Sequence, residues 1–127
     1  MDALIKLSTN GDFNNICDVK CYFTCQLIEE NGNYYQHNSE IKEIKKDDNL
    51  YFSYESQLVA KAKYTGEYKL NSDNENFPHG YKIKDILILK KPQEIDQTLF
   101  QGRIITYIKT DEQKNKIKEL TEELREK

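Results

Sequence analysis

The chain has 127 residues, of which 37% are hydrophobic, 32% charged and 11% aromatic, and its formal net charge is −3. This length suits a single domain across residues 1–127 with a core of its own, and the hydrophobic content excludes an intrinsically disordered chain. No apolar run reaches the length of a membrane span and residues 1–6 are too short and too acidic for a signal peptide, so we expect a cytoplasmic protein without a membrane partner.

The first third of the chain predicts two strands and a short helix. Residues 4–8 (LIKLS) predict the first strand, and residues 8–16 predict a turn and a short helix with Ser8, Thr9 or Asn10 as its cap. Residues 19–28 (VKCYFTCQLI) alternate apolar and polar side chains, which predicts a second strand whose inward face buries Cys21 and Cys25. An Asn-Gly turn signal follows within residues 30–38.

The rest of the chain predicts four more strands and a closing helix. The strands fall at residues 50–56, 58–68, 81–89 and 102–109, with a polar loop at 71–80 and a candidate short helix at 91–100. Thr110 and Gln113 form a capping box for a helix at 110–127, a segment that can also link to a further domain. Short strands with frequent turn signals predict a mainly β (α+β) fold, a small twisted barrel of about five to seven strands with peripheral short helices.

Small residues face large ones in the two central strands. Alternation predicts that Leu50, Phe52 and Tyr54 point inward, and the next strand is expected to do the same with Leu58, Ala60, Ala62 and Tyr64. Two alanines opposite aromatic rings leave room beside them. Neighbouring side chains fill this room in one interpretation, and in the other it is a pocket with aromatic walls and with Ser53, Glu55 and Ser56 at its mouth.

Positive charge is concentrated in the middle of the chain. Residues 42–109 carry 12 basic and 10 acidic groups, whereas residues 1–41 carry 2 basic and 6 acidic groups. Several lysines of the middle region lie on or beside predicted strands, where alternation can gather them into one patch. The alternative is that they are ordinary solvated strand faces. Cys17, His37 and His79 lack the spacing of a zinc site, so we predict neither a metal nor a cofactor.

Three segments of the chain carry motifs that occur together in one order. The stretch IKKDDNLYFSYESQLVAKAKYTG has a lysine-rich turn, an acidic residue, two or three apolar residues, a Tyr-x-Ser and a strand of the form V-A-x-A-x-x-T-G. In this it resembles the PUA-like superfamily, which includes the ASCH, EVE and YTH domains. LIKLSTNGDFNNI resembles the opening of YTH domains, and QGRIITYIKTDEQKNKI resembles the last strand and closing helix of EVE and ASCH domains. The chain has no tryptophan, so an aromatic cage in it would use Tyr and Phe.

The resemblance implies a reader domain that flips one modified, typically methylated, base of a nucleic acid into an aromatic pocket. It implies that DNA is favoured over RNA, because prokaryotic domains of this kind resemble the recognition modules of McrBC-type modification-dependent restriction systems. The other domains or subunits of such a system would then be further partners. The base-pocket candidates are Ser8, Asn10, Asp12, Tyr22, Ser53, Tyr54, Ser56 and Tyr64. The phosphate-binding candidates are Lys61, Lys63, Gln101, Arg103 and Lys109.

Two alternatives stay open beside the DNA reader. One is a PUA-like domain that binds RNA, since nothing in the sequence locates a contact to a 2′-hydroxyl. The other is a small ASCH-type amidohydrolase acting on modified nucleosides, with Lys6, Thr9 and Glu55 near its pocket. The N-terminal G-x-K-x-x-E-x-R signature of many ASCH domains is missing, so the expectation is a binding domain and not an enzyme.

Overall fold

The computed structural model describes residues 2–7, 16–23, 32–37, 41, 44–54, 57–70, 78–95 and 105–125. In chain order its elements are β1 (Ala3–Leu7), α1 (Ile16–Cys21), β2 (Tyr34–His37), β3 (Asn49–Tyr54), β4 (Gln57–Leu70), β5 (His79–Glu94), β6 (Ile105–Tyr107) and α2 (Asp111–Arg125). The prediction of a mainly β chain with a C-terminal helix is therefore confirmed. No helix in these ranges is long and apolar enough to span a membrane.

All six strands belong to one mixed sheet in the order β2-β5-β4-β3-β1-β6. β1 runs parallel to β3, and every other neighbouring pair is antiparallel. Across the described ranges the sheet is open, with β2 at one edge and β6 at the other. The strand number agrees with the predicted five to seven, but the closed barrel is not seen in this part of the chain.

Both faces of the central strands are covered, which explains why every residue from Leu50 to Tyr54 is buried. One face carries Ala3, Ile5 and Phe52, which pack in a large cluster with Tyr22 and Phe23, directly after α1, and with residues of β2 and β5. Leu4 and Tyr51 point to the other face and pack with Leu58, Ile95, Ile108 and Ile117, the last of these from α2. The sheet thus lies between α2 on one side and the larger aromatic core on the other.

The strand predicted at residues 19–28 is wrong over its first half. Residues 16–21 form α1, and Tyr22 and Phe23 continue it in a wider turn. Cys21 is exposed, not buried in a shared face with Phe23. Alternation predicted a strand here, but the two adjacent rings of Tyr22 and Phe23 are both buried, and tertiary packing of this kind overrides local propensity. Residues 24–28, with Cys25, lie outside the described ranges.

A bulge reverses one predicted orientation in β4. Phe52 pairs with Ala60 and Leu50 with Ala62, as expected, but the register shifts so that Ser53 pairs with Leu58. Because of the extra residue, Val59, the side chains that precede it in β4 point to the opposite face from the one that strict alternation predicts. Leu58 therefore packs with Tyr51 on the α2 face, and the prediction that it points inward with Phe52 is wrong.

β5 is longer than predicted and takes up part of a segment expected to be helical. Residues 91–94 of the candidate short helix belong to β5, which ends at Glu94. The antiparallel ladder with β4 holds this segment extended, because Glu94 pairs with Gln57 and Gln93 with Leu58. Residues 96–100 of the same candidate lie outside the described ranges.

The capping box of α2 is formed as the sequence predicts. The Thr110 hydroxyl accepts a hydrogen bond from the Gln113 backbone N–H at 3.1 Å, and the Gln113 side-chain oxygen accepts from the Thr110 N–H at 3.2 Å and from the Lys109 N–H at 2.8 Å. These contacts satisfy N–H groups that the first turn of a helix leaves without partners. The capped helix then directs Ile117, which is buried, onto the sheet.

Thr110→Ala is expected to lower the free energy of unfolding by about 1 kcal/mol, because it removes the cap acceptor. Urea denaturation followed by circular dichroism measures the change. Asn115→Ala, on the exposed surface of the same helix, is the control and should change stability by less than about 0.5 kcal/mol. Equal effects of the two substitutions would contradict the role of the cap.

Candidate functional site

Termini of five strands meet at one end of the sheet, which we call the Tyr54 end; β5 ends there with Glu94, which pairs with Gln57. β1 and β3 are parallel and finish side by side, with Leu7 paired to Tyr54. β4 starts there, since Gln57 also pairs with Tyr54, and β6 enters from the same direction, with Ile105 opposite Ile5. The chain segments that follow β1 and β3 and precede β6 are the ones that carry six of the predicted site residues.

Those six residues lie outside the described ranges. They are Ser8, Asn10 and Asp12 after β1, Ser56 after β3, and Gln101 and Arg103 before β6. Their predicted roles stay predictions. The other seven candidates are described, and the structure does not bring them together in one place.

Ser53 and Tyr54 lie at the Tyr54 end itself. Ser53 is buried, and its hydroxyl donates a weak hydrogen bond of 3.5 Å to the carbonyl oxygen of Ile5. Tyr54 is only 1% exposed and belongs to the larger core cluster. A ligand that reaches the Tyr54 ring must therefore displace side chains that cover it.

The room beside the alanines is filled by aromatic rings. Phe52, opposite Ala60, packs against Phe23 with ring centroids 4.7 Å apart and against Tyr35 at 5.0 Å. Tyr22 extends this group through an edge contact to Phe23 at 5.2 Å. At Phe52 the filled-core interpretation is thus the correct one, and Tyr22 is part of that packing.

Tyr64 lies far from Tyr54 along the sheet. Its ring packs against Tyr81 at 5.6 Å, and its backbone pairs with Asp48, at the opposite end of β3. Roughly 20 Å of strand separates the two tyrosines, given about 3.3 Å per residue. They cannot hold the two sides of one base. Burial, and next the phenols of Tyr68 and Tyr34, raise the pKa of Tyr64.

Four lysines form a row on the opposite side of β4 and β5, which we call the lysine face: Lys61, Lys63, Lys82 and Lys84. Lys63 pairs directly with Lys84 across the two strands. Lys61 lies opposite Tyr51, with its Nζ 5.9 Å from the ring centroid. Of these four, Lys61 and Lys63 are predicted phosphate-binding residues, and the register places Lys84, with Lys82 on the same face of β5, beside them.

Acidic side chains neutralise part of the lysine face. Lys84 lies 3.4 Å from Asp47, and Lys82 lies 3.4 Å from Glu67. Lys82 also lies 6.0 Å above the Tyr34 ring, whose hydroxyl donates to Glu67 at 3.3 Å. Within the described ranges Lys63 makes no ion pair. Both ion pairs are exposed and contribute little to stability.

Lys109 does not join the other candidates. It follows β6, whose last residue Tyr107 pairs with Ala3, so it lies at the end of the sheet away from Tyr54. Lys6, named for the enzyme alternative, lies on β1 opposite Ser53, near the Tyr54 end. Its proposed partners Thr9 and Glu55 lie outside the described ranges.

A second polar cluster lies between β2, β4 and β5, and sequence analysis did not find it. His37 pairs with His79 across β2 and β5. The Tyr35 hydroxyl and Nδ1 of His37 share a buried hydrogen bond of 3.0 Å, and the Tyr68 hydroxyl and Nδ1 of His79 share an exposed one of 2.6 Å. The two histidines are distant in sequence, so only the strand register brings them together.

Burial shifts the pKa of two groups in this cluster, His37 and Tyr35. It lowers the pKa of His37 to about 4, with a smaller contribution from the positive charge of His79. It also raises the pKa of Tyr35 well above its usual value, helped by the neighbouring Tyr22. Near pH 7 His37 is therefore a neutral imidazole beside a protonated phenol.

Comparison with known proteins gives no relative: no protein-family model, no curated protein sequence and no solved structure matches this chain.

Proposed function

We propose that this chain is a nucleic-acid-binding domain that takes one modified base out of its strand and holds it at the Tyr54 end of the sheet, with DNA favoured over RNA. The observation that carries the proposal is the meeting of β1, β3, β4 and β6 at that end. The three segments with PUA-like character are far apart in sequence, yet the strands they contain are neighbours. Residues from all three can then act on one ligand.

The base contacts come from stacking and from short polar side chains. The Tyr54 ring supplies a π-face, and base stacking on an aromatic ring contributes about 1–3 kcal/mol. Ser8, Asn10, Asp12 and Ser56 supply hydroxyl, amide and carboxylate groups for the edge of the base. Ser53 precedes Tyr54 in β3 and points to the other face of the sheet, so it has no part in these contacts. Extrusion costs a few kcal/mol, so stacking and edge contacts are both required.

The phosphate contacts come from the lysine face. A nucleic-acid backbone that runs from the Tyr54 end along β4 passes first Lys61 and then Lys63, which lie on the same side of the strand. The rings of Tyr51 and Tyr34 lie among these lysines, and rows of cations with interleaved aromatics suit a single strand. Tyr64 has no part in this arrangement because it packs in the core on the other face of β4, and Lys109 has none because β3 and β1 separate β6, the strand it follows, from β4.

We also propose that the sheet is part of a PUA-like barrel. The long strands β4 and β5 support this, because their pairing register shifts three times between Gln57 and Leu70. One shift lies between Tyr64 and Tyr68 and contains Gly66, whose φ of 95° favours glycine. Bulges bend strands and increase their twist, which a sheet needs in order to close.

A panel of labelled oligonucleotides tests the function. DNA and RNA strands with 5-methylcytosine, 5-hydroxymethylcytosine, N6-methyladenine or no modification are titrated and followed by fluorescence anisotropy. The expected result is that one modified DNA binds at least about tenfold more tightly than its unmodified match. Preference for RNA, release of an altered nucleoside, or no binding to any strand would each overturn the proposal of a DNA reader.

Tyr54→Ala is expected to weaken binding of the modified strand by about 1–3 kcal/mol and to leave the unmodified strand nearly unchanged, because only the flipped base stacks. Lys63→Gln should weaken both strands alike and reduce the salt dependence by about one counterion. Anisotropy titrations at several salt concentrations measure both effects.

Two controls make this comparison specific. Tyr54→Phe keeps the ring and should keep the preference for the modified strand, and Lys109→Gln should change neither affinity. Circular dichroism and a thermal melt first establish that each variant is folded, since Tyr54 is part of the core. A folded Tyr54→Ala variant that keeps the parent's ratio of affinities would refute the role of the ring.

A further inference from the structure

We propose that His37 and His79 bind one divalent transition-metal ion through their Nε2 atoms, at a site independent of the base reader. The two residues are directly opposite each other on neighbouring antiparallel strands. Side chains at such positions share one face of the sheet, with Cβ atoms about 4.5–5.5 Å apart. One ion can then contact both imidazoles.

The tyrosine hydroxyls prepare the two rings for this role. The Tyr35 hydroxyl oxygen lies 3.0 Å from Nδ1 of His37, and the Tyr68 hydroxyl oxygen lies 2.6 Å from Nδ1 of His79. A histidine that binds a metal usually donates its other ring N–H to an acceptor, which fixes both tautomer and ring orientation. When each Nδ1–H donates to a phenol oxygen, each Nε2 presents a lone pair.

The Nε2 atom of His37 supports the site independently. His37 is 4% exposed, and its Nε2 is buried without a hydrogen-bond partner in the described ranges. A buried polar atom left in this state costs about 1–3 kcal/mol, and such atoms are rare in folded proteins. A bound metal ion would satisfy it.

The path to the site runs along the β4–β5 hairpin. His79 is half-buried, and Tyr68, stacked on it with ring centroids 5.9 Å apart, is 43% exposed. The outer side of the histidine pair is therefore open to solvent while His37 closes the inner side. An ion can enter beside His79 and lose its water on the side of His37.

Imidazole ligands indicate which ion fits. Two neutral nitrogen donors suit Zn²⁺, Ni²⁺ or Cu²⁺ and not the oxygen-seeking Mg²⁺ or Ca²⁺. The described ranges contain no group of three or more His, Cys, Asp or Glu that could hold a metal, so the protein supplies two ligands there. Water or a small ligand completes the four positions that zinc prefers.

Zn²⁺ is the probe for the test, added to the full chain after treatment with EDTA and dialysis. Isothermal titration calorimetry should show one saturable site, and ¹⁵N NMR of the imidazoles should show the metal-induced shift at Nε2 of both histidines and not at Nδ1. His79→Gln should weaken binding at least about 100-fold. Tyr68→Phe should weaken it about 10-fold, the usual cost of removing a second-sphere partner.

The exposed thiols Cys17 and Cys21 provide the matched control, because thiolates also bind zinc. The double variant Cys17→Ser, Cys21→Ser should bind Zn²⁺ as the parent does and show the same two Nε2 shifts. Unchanged binding in a folded His79→Gln variant, loss of binding in the cysteine variant, or no saturable binding by the parent would overturn the proposal. Failure of the oligonucleotide panel would not affect it.

Discussion

Phe52→Ala is expected to lower the free energy of unfolding by about 3–5 kcal/mol, the usual cost of removing a buried phenyl ring. Phe52 is 0% exposed and lies at the centre of the sheet between the rings of Phe23 and Tyr35. Its partner across the strand is Ala60, which is too small to fill the space that the ring leaves. Urea denaturation, with the slope compared between variants, measures the loss.

Two further variants keep this prediction testable if Phe52→Ala does not fold, since a domain of this kind has only about 5–15 kcal/mol of stability. Phe52→Leu replaces most of the volume and should cost clearly less than Phe52→Ala. Leu70→Ala truncates a side chain that is 60% exposed and should change stability by less than about 0.5 kcal/mol. If truncation at Phe52 were as mild as at Leu70, the ring could not lie in the core.

The strands with clear alternation were the predictable part of this fold. β1, β3 and β4 follow from alternation in LIKLS and LYFSYES and from β-forming residues in LVAKAKYTGEY. The α2 cap was also predictable, because Thr110 and Gln113 act within four residues of each other. Signals of this kind are local, so the sequence contains all of the information.

The errors arise where a distant contact decides the conformation. Residues 19–23 alternate like a strand, but they form the end of a helix and a wide turn. In this conformation Phe23 packs against Phe52, which is distant in sequence. Leu58 points to the unexpected face because of a bulge at Val59, and no local signal marks that bulge. One inserted residue is enough to change the face of every side chain before it.

The same reasoning applies to the site. Tyr54 and Tyr64 were grouped because they alternate in adjacent strands, yet the antiparallel turn between those strands sends Tyr64 to the far end of the sheet. Alternation predicts that lysines of neighbouring strands can gather into one patch, but only the β4–β5 register shows that Lys84 lies opposite Lys63. His37 and His79 were judged by spacing in sequence, whereas cross-strand pairing is what makes them neighbours.

The buried state of His37 has a consequence for acid stability. Its pKa is about 4 in the folded protein, lowered mainly by burial and then by His79, against 6.5 for an ordinary histidine. Tyr35, through its hydrogen bond, and His79, across the strands, are the titratable groups that face it in the described ranges. The phenol stays protonated throughout the acid range because burial raises its pKa.

Between pH 6.5 and about 4 the unfolded chain binds a proton at His37 that the folded chain does not, so His37 should make the protein progressively less stable as the pH falls through this window. The loss reaches about 3 kcal/mol near pH 4, and above pH 6.5 His37 contributes no pH dependence.

Urea denaturation in EDTA at pH 7, 5.5 and 4.5, with parent and His37→Phe compared, isolates this effect because carboxylates titrate equally in both. The parent should lose stability more steeply than the variant, and an NMR titration of the His37 ring should place its midpoint near pH 4. Parallel stability curves, or a midpoint near 6.5, would show that His37 is not held neutral by burial.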